Sequence, residues 1–256
     1  MTTRSDLPSR QACCEAHGEY LSHRIFGRVW TKCPACTEAA REAAATRLAE
    51  QEEQEKLRHW QRRLAQAGIP ERFQARSLDD FVVETPEQRR ALAFARDYAL
   101  GFAEVRETGR GAIFVGGPGT GKTHLAAAIG MHLLRQGLRV HFTTVMRAIR
   151  RVKDTWSPRT EMTESQAVAL LTEPDLLILD EVGVQFGSDF ERHLMFDVLN
   201  DRYARHRPTL LLSNLPIEEV KGHLGARLFD RLKEDDGEYI VFDWDSHRGR
   251  ARAEVA

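Results

Sequence analysis

The sequence predicts an α/β fold, a parallel five-stranded sheet with helices on both faces, and three observations lead there. From residue 112 onward, short apolar runs alternate with helical patterns, as in a parallel sheet with crossover helices. The runs at residues 176–179 and 209–213 are too apolar for exposed strands. A glycine-rich loop separates the first run from the helical pattern that follows it.

In chain order, residues 1–36 hold all 4 cysteines, several aromatics and His17. Residues 37–66 are rich in Ala, Glu, Gln and Arg without Gly or Pro, so helix propensity is high throughout. Leu57, Trp60, Leu64 and Ala67 make an apolar stripe on that helix. The stripe serves either local packing on the main domain or docking of a partner protein. Gly68 and Pro70 stop the helix. The expected strands are residues 112–115, 139–143, 175–179, 209–213 and 239–242, and the longest helices between them are 123–136 and 190–207. The division is a metal module at 1–36, a helical docking or linker segment at 37–67 and a main domain at 68–256.

With 256 residues, 42% apolar and 29% charged, the chain suits one full-sized globular domain and a smaller appendage, and disfavours repeat, collagen or wholly disordered architectures. Lys plus Arg number 37 against 38 acidic residues, a net charge of −1, so any nucleic-acid contact must come from a local patch. Residues 1–12 lack the apolar core of a signal peptide, and no later run is long enough to span a bilayer, so a cytoplasmic protein without membrane contact is expected.

Gly116-Gly117-Pro118-Gly119-Thr120-Gly121-Lys122-Thr123 stands between the first strand and a helix, which is the context a P-loop requires. Its glycines turn backbone N–H groups inward around phosphates, and the helix N-terminus adds attraction. Lys122 is expected to bridge the β- and γ-phosphates of ATP, and the Thr123 hydroxyl to hold Mg²⁺. His124 follows directly and is counted with the nucleotide segment. Leu176-Leu177-Ile178-Leu179-Asp180-Glu181 has the Walker B pattern: Asp180 for Mg²⁺, Glu181 to polarise the attacking water. Asn214, at the end of the 209–213 strand, takes the sensor 1 position toward the γ-phosphate or lytic water.

Residues 224–232 read as a short helix with Arg227 and Arg231 one turn apart. One of them is a candidate for a neighbouring subunit's nucleotide; the competing role, strongest for Arg227, is an ion pair with Asp230 or Glu234. Arg248 follows the last strand, where Asp or Ser could cap a short helix aiming it at the nucleotide. At the other end, Cys14-Glu15-Ala16-His17 and Cys33-Pro34-Ala35-Cys36 have the spacing of a structural Zn²⁺ knuckle. Cys13 competes with Cys14, which the Cys-x-x-His spacing favours.

The P-loop with its His-Leu-Ala continuation (117–126), the Walker B run extended by Gly183-Val184-Gln185, the Leu-Phe-Asp-Arg-Leu segment (228–232) and the Phe-Asp-Trp-Asp-Ser-His-Arg-Gly-Arg ending (242–250) resemble DnaC-type replicative helicase loaders over about residues 68–250. The resemblance implies an AAA+ ATPase with strand order 5-1-4-3-2 that forms an ATP-dependent spiral homo-oligomer. It also implies a DnaB-type replicative helicase as partner, bound through the amino-terminal region, and placement of that helicase on single-stranded DNA. Arg231 matches the arginine finger and Arg248 the sensor 2 arginine. So few residues follow Arg248 that a full helical lid is not expected. For single-stranded DNA, the cluster Arg147, Arg150, Arg151 and Lys153 with Trp156 nearby offers cations for phosphates and a ring for stacking. An IstB-like transposition helper is the nearest alternative, since its P-loop region is almost indistinguishable. A small-molecule P-loop kinase is a more distant one, disfavoured by Glu181 and by the need for a closing lid.

Overall fold

The computed structural model describes residues 8–25, 27–183, 188–234 and 237–247. The chain divides into two units, Met1–Gln61 and Arg62–Ala256, and the boundary falls within one uninterrupted helix.

The first unit opens with three short antiparallel strands in the order β1-β2-β3: β1 (Ser9–Cys14), β2 (Gly18–Ile25) and β3 (Val29–Trp30). The strands lack an apolar alternation that would mark them in sequence, and the Arg10 guanidinium lies 4.4 Å from the Trp30 ring centroid. Among the described residues before position 34, only Ser22 and Cys33 are buried, so this sheet has almost no core of its own. Helix α1 (Pro34–Ala67) begins three residues earlier than its composition suggested, because proline is compatible with a first helical turn. It ends before Gly68, whose φ is 67°.

The second unit holds α2 (Glu71–Gln74), α3 (Pro86–Leu100), α4 (Phe102–Thr108), β4 (Ala112–Gly116), α5 (Lys122–Arg135), β5 (Val140–Thr144), α6 (Val145–Asp154), α7 (Glu164–Thr172), β6 (Leu176–Asp180), α8 (Asp189–Ala204), β7 (Thr209–Ser213), α9 (Ile217–Leu224), α10 (Ala226–Lys233) and β8 (Glu238–Phe242). The five strands β4 to β8 are all parallel and ordered β5-β6-β7-β4-β8. Numbered within this sheet, that is the 5-1-4-3-2 order, and each strand lies within a residue of its expected position. The expected helix at 224–232 is interrupted: Gly225 (φ 78°, ψ 149°) separates α9 from α10.

Side chains alternate between the two faces of the sheet. Ile113, Val115, Leu177, Leu179 and Leu211 form one core with α6, α7, α8 and α10. On the other face Phe114 meets Phe94 of α3 edge-on at 5.9 Å, and α5 approaches so closely that a β-carbon on Gly130 would lie 3.2 Å from Ile178. Below the sheet, Arg202 is fully buried, donating to the carbonyls of Leu171, Thr172, Pro174 and Pro208 and to the Thr209 hydroxyl. Among the described residues, no helix is long and apolar enough to cross a membrane.

Candidate functional site

Parallel strands deliver their carboxyl ends to one edge, and the P-loop forms there because β4 cannot continue straight. Gly116 has φ 133°, and a β-carbon on it would lie 2.2 Å from the Phe242 carbonyl oxygen of neighbouring β8, so only glycine fits. Gly121 (φ 99°) caps α5 without a side-chain bond, which leaves the first N–H groups of the helix for an anion. Thr120 closes the loop through its hydroxyl to Gly117 O at 2.8 Å. Lys122 is buried, its ammonium donating to Gly116 O and Gly117 O, both at 2.7 Å.

Two strands away, β6 brings in the acidic pair. The Thr123 hydroxyl donates to Asp180 Oδ2 at 3.0 Å, so the expected Mg²⁺ ligands from β6 and α5 are in direct contact. Glu181 adopts φ 61°, unusual for a non-glycine residue, with its N–H donating to Asp180 Oδ1 at 2.8 Å. Such strain collects at functional sites. At the end of β7, the Ser213 hydroxyl ties Val182 O (2.5 Å) to Leu215 N (3.1 Å), setting the turn that carries Asn214.

These residues share a cavity of about 920 Å³ whose lining includes Pro118, Gly119, Gly121, Lys122, Thr123, His124, Asp180, Glu181 and Asn214. Its volume is in the range of small-molecule and cofactor sites, which run to about 1,000 Å³. Further lining residues were not evident from local pattern: Pro70, Arg72, Phe73, Arg76, Phe81 and Val82 come from α2 with its N-cap and the irregular stretch that follows it, before α3. Two phenylalanines in a polar stretch were the available signal. His124 holds that segment, its Nε2 3.1 Å from Ser77 O and its ring edge-on to Phe81 at 5.8 Å. Trp244 Nε1 donates to Thr120 O at 2.9 Å and His247 N to Gly119 O at 3.1 Å, fastening the chain after β8 to the P-loop. Arg248 of the expected sensor 2 position lies outside the described residues, as do Val184 and Gln185.

The basic cluster of α6 divides. All three arginines are exposed, and of them Arg147 lines the P-loop cavity. Lys153 pairs with buried Glu191 at 2.5 Å. Trp156 is 57% exposed, its indole N–H donating to Glu164 at 3.1 Å. Of the two arginines on α10, Arg227 is exposed and has no ion-pair partner among the described residues. Arg231 is half-buried, donating to Asn200 Oδ1 with its guanidinium 4.9 Å from the Tyr203 ring centroid.

In the first unit, Cys14 ends β1 and His17 lies in the β1–β2 turn, while Cys33 and Cys36 stand at the start of α1. One ligand atom from each lies within 4.8 Å of every other, and closer pairs are Cys14–Cys36 at 3.4 Å and His17–Cys36 at 3.2 Å. A tetrahedral ion bound at about 2.3 Å by sulfur and about 2.0 Å by nitrogen sets its ligands roughly 3.5–3.8 Å apart, so the donor set fits zinc. Cys13 is exposed and outside the cluster. A hydrogen bond from His17 holds the Cys14 thiol down at about 6, and its bond to Cys14 pushes Cys36 up to about 11. Two thiols that cannot readily ionise together suit a cation that stabilises both as thiolates.

A family model described as IstB-like ATP binding protein matches residues 29–254. The replicative helicase loader DnaC of Escherichia coli (strain K12) is 36% identical over 210 residues, covering 82% of this chain and 84% of that protein. The replicative helicase loader DnaC of Buchnera aphidicola subsp. Schizaphis graminum is 35% identical over 194 residues, covering 76% and 78%. A crystal structure of the DnaC helicase loader matches with a TM-score of 0.59 and 26% identity over 67% of this chain and 99% of that one. The replication initiator DnaA bound to AMPPCP and single-stranded DNA shares the fold, with a TM-score of 0.57, 21% identity and coverage of 70% and 52%. A P-loop joined to a Walker B aspartate on a 5-1-4-3-2 sheet, together with these matches, means that the chain belongs to the DnaC/IstB-like family of AAA+ ATP-binding proteins.

Proposed function

We propose that this protein is an ATP-hydrolysing loader that binds a DnaB-type replicative helicase and places it on single-stranded DNA. The observation that carries the proposal is the 36% identity maintained across 84% of a protein named a replicative helicase loader. The contact between Thr123 and Asp180 supports the ATPase part.

In this scheme Lys122 and the N–H groups at the start of α5 hold the β- and γ-phosphates, with the glycine backbone from Gly116 to Gly121 around them. Thr123 and Asp180 would hold Mg²⁺, which when bound neutralises phosphate charge. Glu181 orients a water and accepts its proton, and Asn214 positions the same water from β7. Arg231 reaches the nucleotide of an adjoining protomer in a spiral homo-oligomer and stabilises charge developing in the transition state, an effect worth about 10³–10⁵-fold in other arginine-finger enzymes. Arg248 acts as the sensor 2 arginine. Arg150, Arg151 and the exposed face of Trp156 contact single-stranded DNA, with Lys153 contributing less because it pairs with Glu191 and Arg147 less because it lines the P-loop cavity. Cys14, His17, Cys33 and Cys36 hold a structural Zn²⁺, and this module with α1 docks the helicase.

The test is helicase-dependent unwinding of a DNA fork coated with single-strand-binding protein. The chain with ATP should be required for the native cell's replicative helicase to unwind it, and Asp180→Asn should be inactive. Unwinding that is indifferent to the chain, with a transposase rather than a helicase co-purifying, would favour an IstB-like role instead.

A further inference from the structure

The side of Arg231 that faces its own chain is held in an unusual way. Its guanidinium donates to the amide oxygen of Asn200 and lies against the ring of Tyr203, both on α8. Both are neutral groups. Among the described residues, no carboxylate lies within 4.0 Å of Arg231, although Glu234 lines the same cavity of about 150 Å³. Glu234 instead accepts a hydrogen bond from the hydroxyl of Tyr203. The tyrosine therefore supplies a π face to the arginine and occupies the acid that would neutralise it.

Arginine carries five N–H donors, so one bond to Asn200 leaves donors available for another partner. A carboxylate in place of Asn200 would consume the charge, whereas an amide and a ring restrain the side chain and leave the charge intact. Restraint matters because a long flexible side chain must otherwise lose its rotamer freedom when it engages a ligand. From this arrangement we infer that Asn200 and Tyr203 are positioning residues for Arg231, holding it charged and pre-oriented for a phosphate presented by a second copy of this chain. The inference rests on the proposed action of Arg231 between protomers and extends it to two residues of α8 that local motif reading does not reach.

Mixed assemblies test it. Arg231→Ala provides an intact cradle without a finger, and Glu181→Gln provides a finger without hydrolysis of its own. Phosphate release from the mixture should rise well above either variant alone. Replacing the donor by Glu181→Gln/Asn200→Ala should lower the restored turnover by about tenfold or more, since misplacement by 1 Å can cost about 10²-fold, with the KM for ATP of the acceptor unchanged. Glu181→Gln/Asn200→Asp should fail similarly although it retains a hydrogen-bond acceptor, because it neutralises the guanidinium. Glu181→Gln/Tyr203→Phe, which keeps the ring, should restore more than Glu181→Gln/Tyr203→Leu. If the simple pair gives no restoration, action between protomers fails and the inference falls with it. If the simple pair restores turnover and the Asn200 variants restore it equally, action between protomers stands and the role of Asn200 and Tyr203 is wrong.

Discussion

The hydroxyl of Thr123 sits 3.0 Å from Asp180 Oδ2, across 57 positions of sequence, and this contact joins the first turn of α5 to the end of β6. A hydroxyl and a carboxylate oxygen brought together at the mouth of a P-loop are two hard ligands of the kind Mg²⁺ takes alongside nucleotide phosphates. Removing the charge while keeping the shape isolates that role. Asp180→Asn should cut ATP turnover by roughly 10²–10³-fold, the range seen when one preorganised electrostatic group is lost, while nucleotide binding falls much less. Phosphate release measured beside titration of a fluorescent ATP analogue separates the two effects. Equal losses in binding and turnover would mean that the carboxylate shapes the pocket and nothing more.

His141 supplies a pH-dependent term in stability. It stands on β5, 9% exposed, with Nδ1 3.3 Å from the Gln66 carbonyl at the end of α1. Burial holds its pKa below the ordinary histidine value, and the charges of Arg151 and Arg202 act in the same direction against the opposing hydrogen bond to Gln66. The native state therefore keeps the ring neutral where the unfolded chain would protonate it. Below about pH 6.5 the unfolded state binds more protons, so stability decreases as pH falls, by at most about 1.4 kcal/mol per unit from this group. Urea midpoints at pH 7.5 and 5.5 should differ less for His141→Gln, which cannot titrate, than for the wild type. An identical pH dependence in the two proteins rules His141 out as the source.

Three of the five strands were readable because both-face burial makes β4, β6 and β7 apolar along most of their length, a local property. The P-loop and the Asp180–Glu181 pair were readable because their chemistry demands fixed residue types at fixed spacing. The segment carrying Phe73 and Phe81 was not, since it has no period and owes its position to His124 and Gly121, which lie about 40 residues away. A β-carbon on Gly121 would lie 2.6 Å from the Phe81 ring, a tertiary constraint that no window of sequence contains. Arg147 shows the same limit. Its spacing groups it with Arg150 and Arg151 on a basic helix, yet at the first turn of α6 it opens onto the P-loop cavity.

Zinc should be a structural requirement of the amino-terminal unit. With only Ser22 and Cys33 buried among the described residues before α1, burial of apolar surface contributes little there. Metal binding to a site of this type supplies about 10–16 kcal/mol at neutral pH, ample to order a small sheet. Elemental analysis should find one zinc per chain, absent in a Cys33→Ser/Cys36→Ser variant. Limited proteolysis of that variant should cut within residues 8–33 while the Arg62–Ala256 unit stays intact. Metal-free wild type that resists the protease equally would show that the thiols hold no structural ion.

Arg202 is the side chain whose loss should destabilise the second unit most. Its guanidinium reaches four backbone carbonyls and the Thr209 hydroxyl at distances from 2.6 to 3.2 Å, from the ends of α7 and β7 and the connection before β6. A planar fork with five donors can satisfy acceptors on several sides at once; an ammonium concentrates three donors at one point. Arg202→Lys therefore preserves charge and still strands carbonyls, and Arg202→Leu removes the guanidinium from all four, of which Pro208 O keeps the Leu177 N–H as a partner. Each buried carbonyl left without a partner costs about 1–3 kcal/mol, so the leucine variant should lose several kcal/mol and the lysine variant less. Chemical denaturation of both variants checks the order. If lysine matched arginine, the charge rather than the directed donors would be what holds these segments together, and the carbonyls would have to find water.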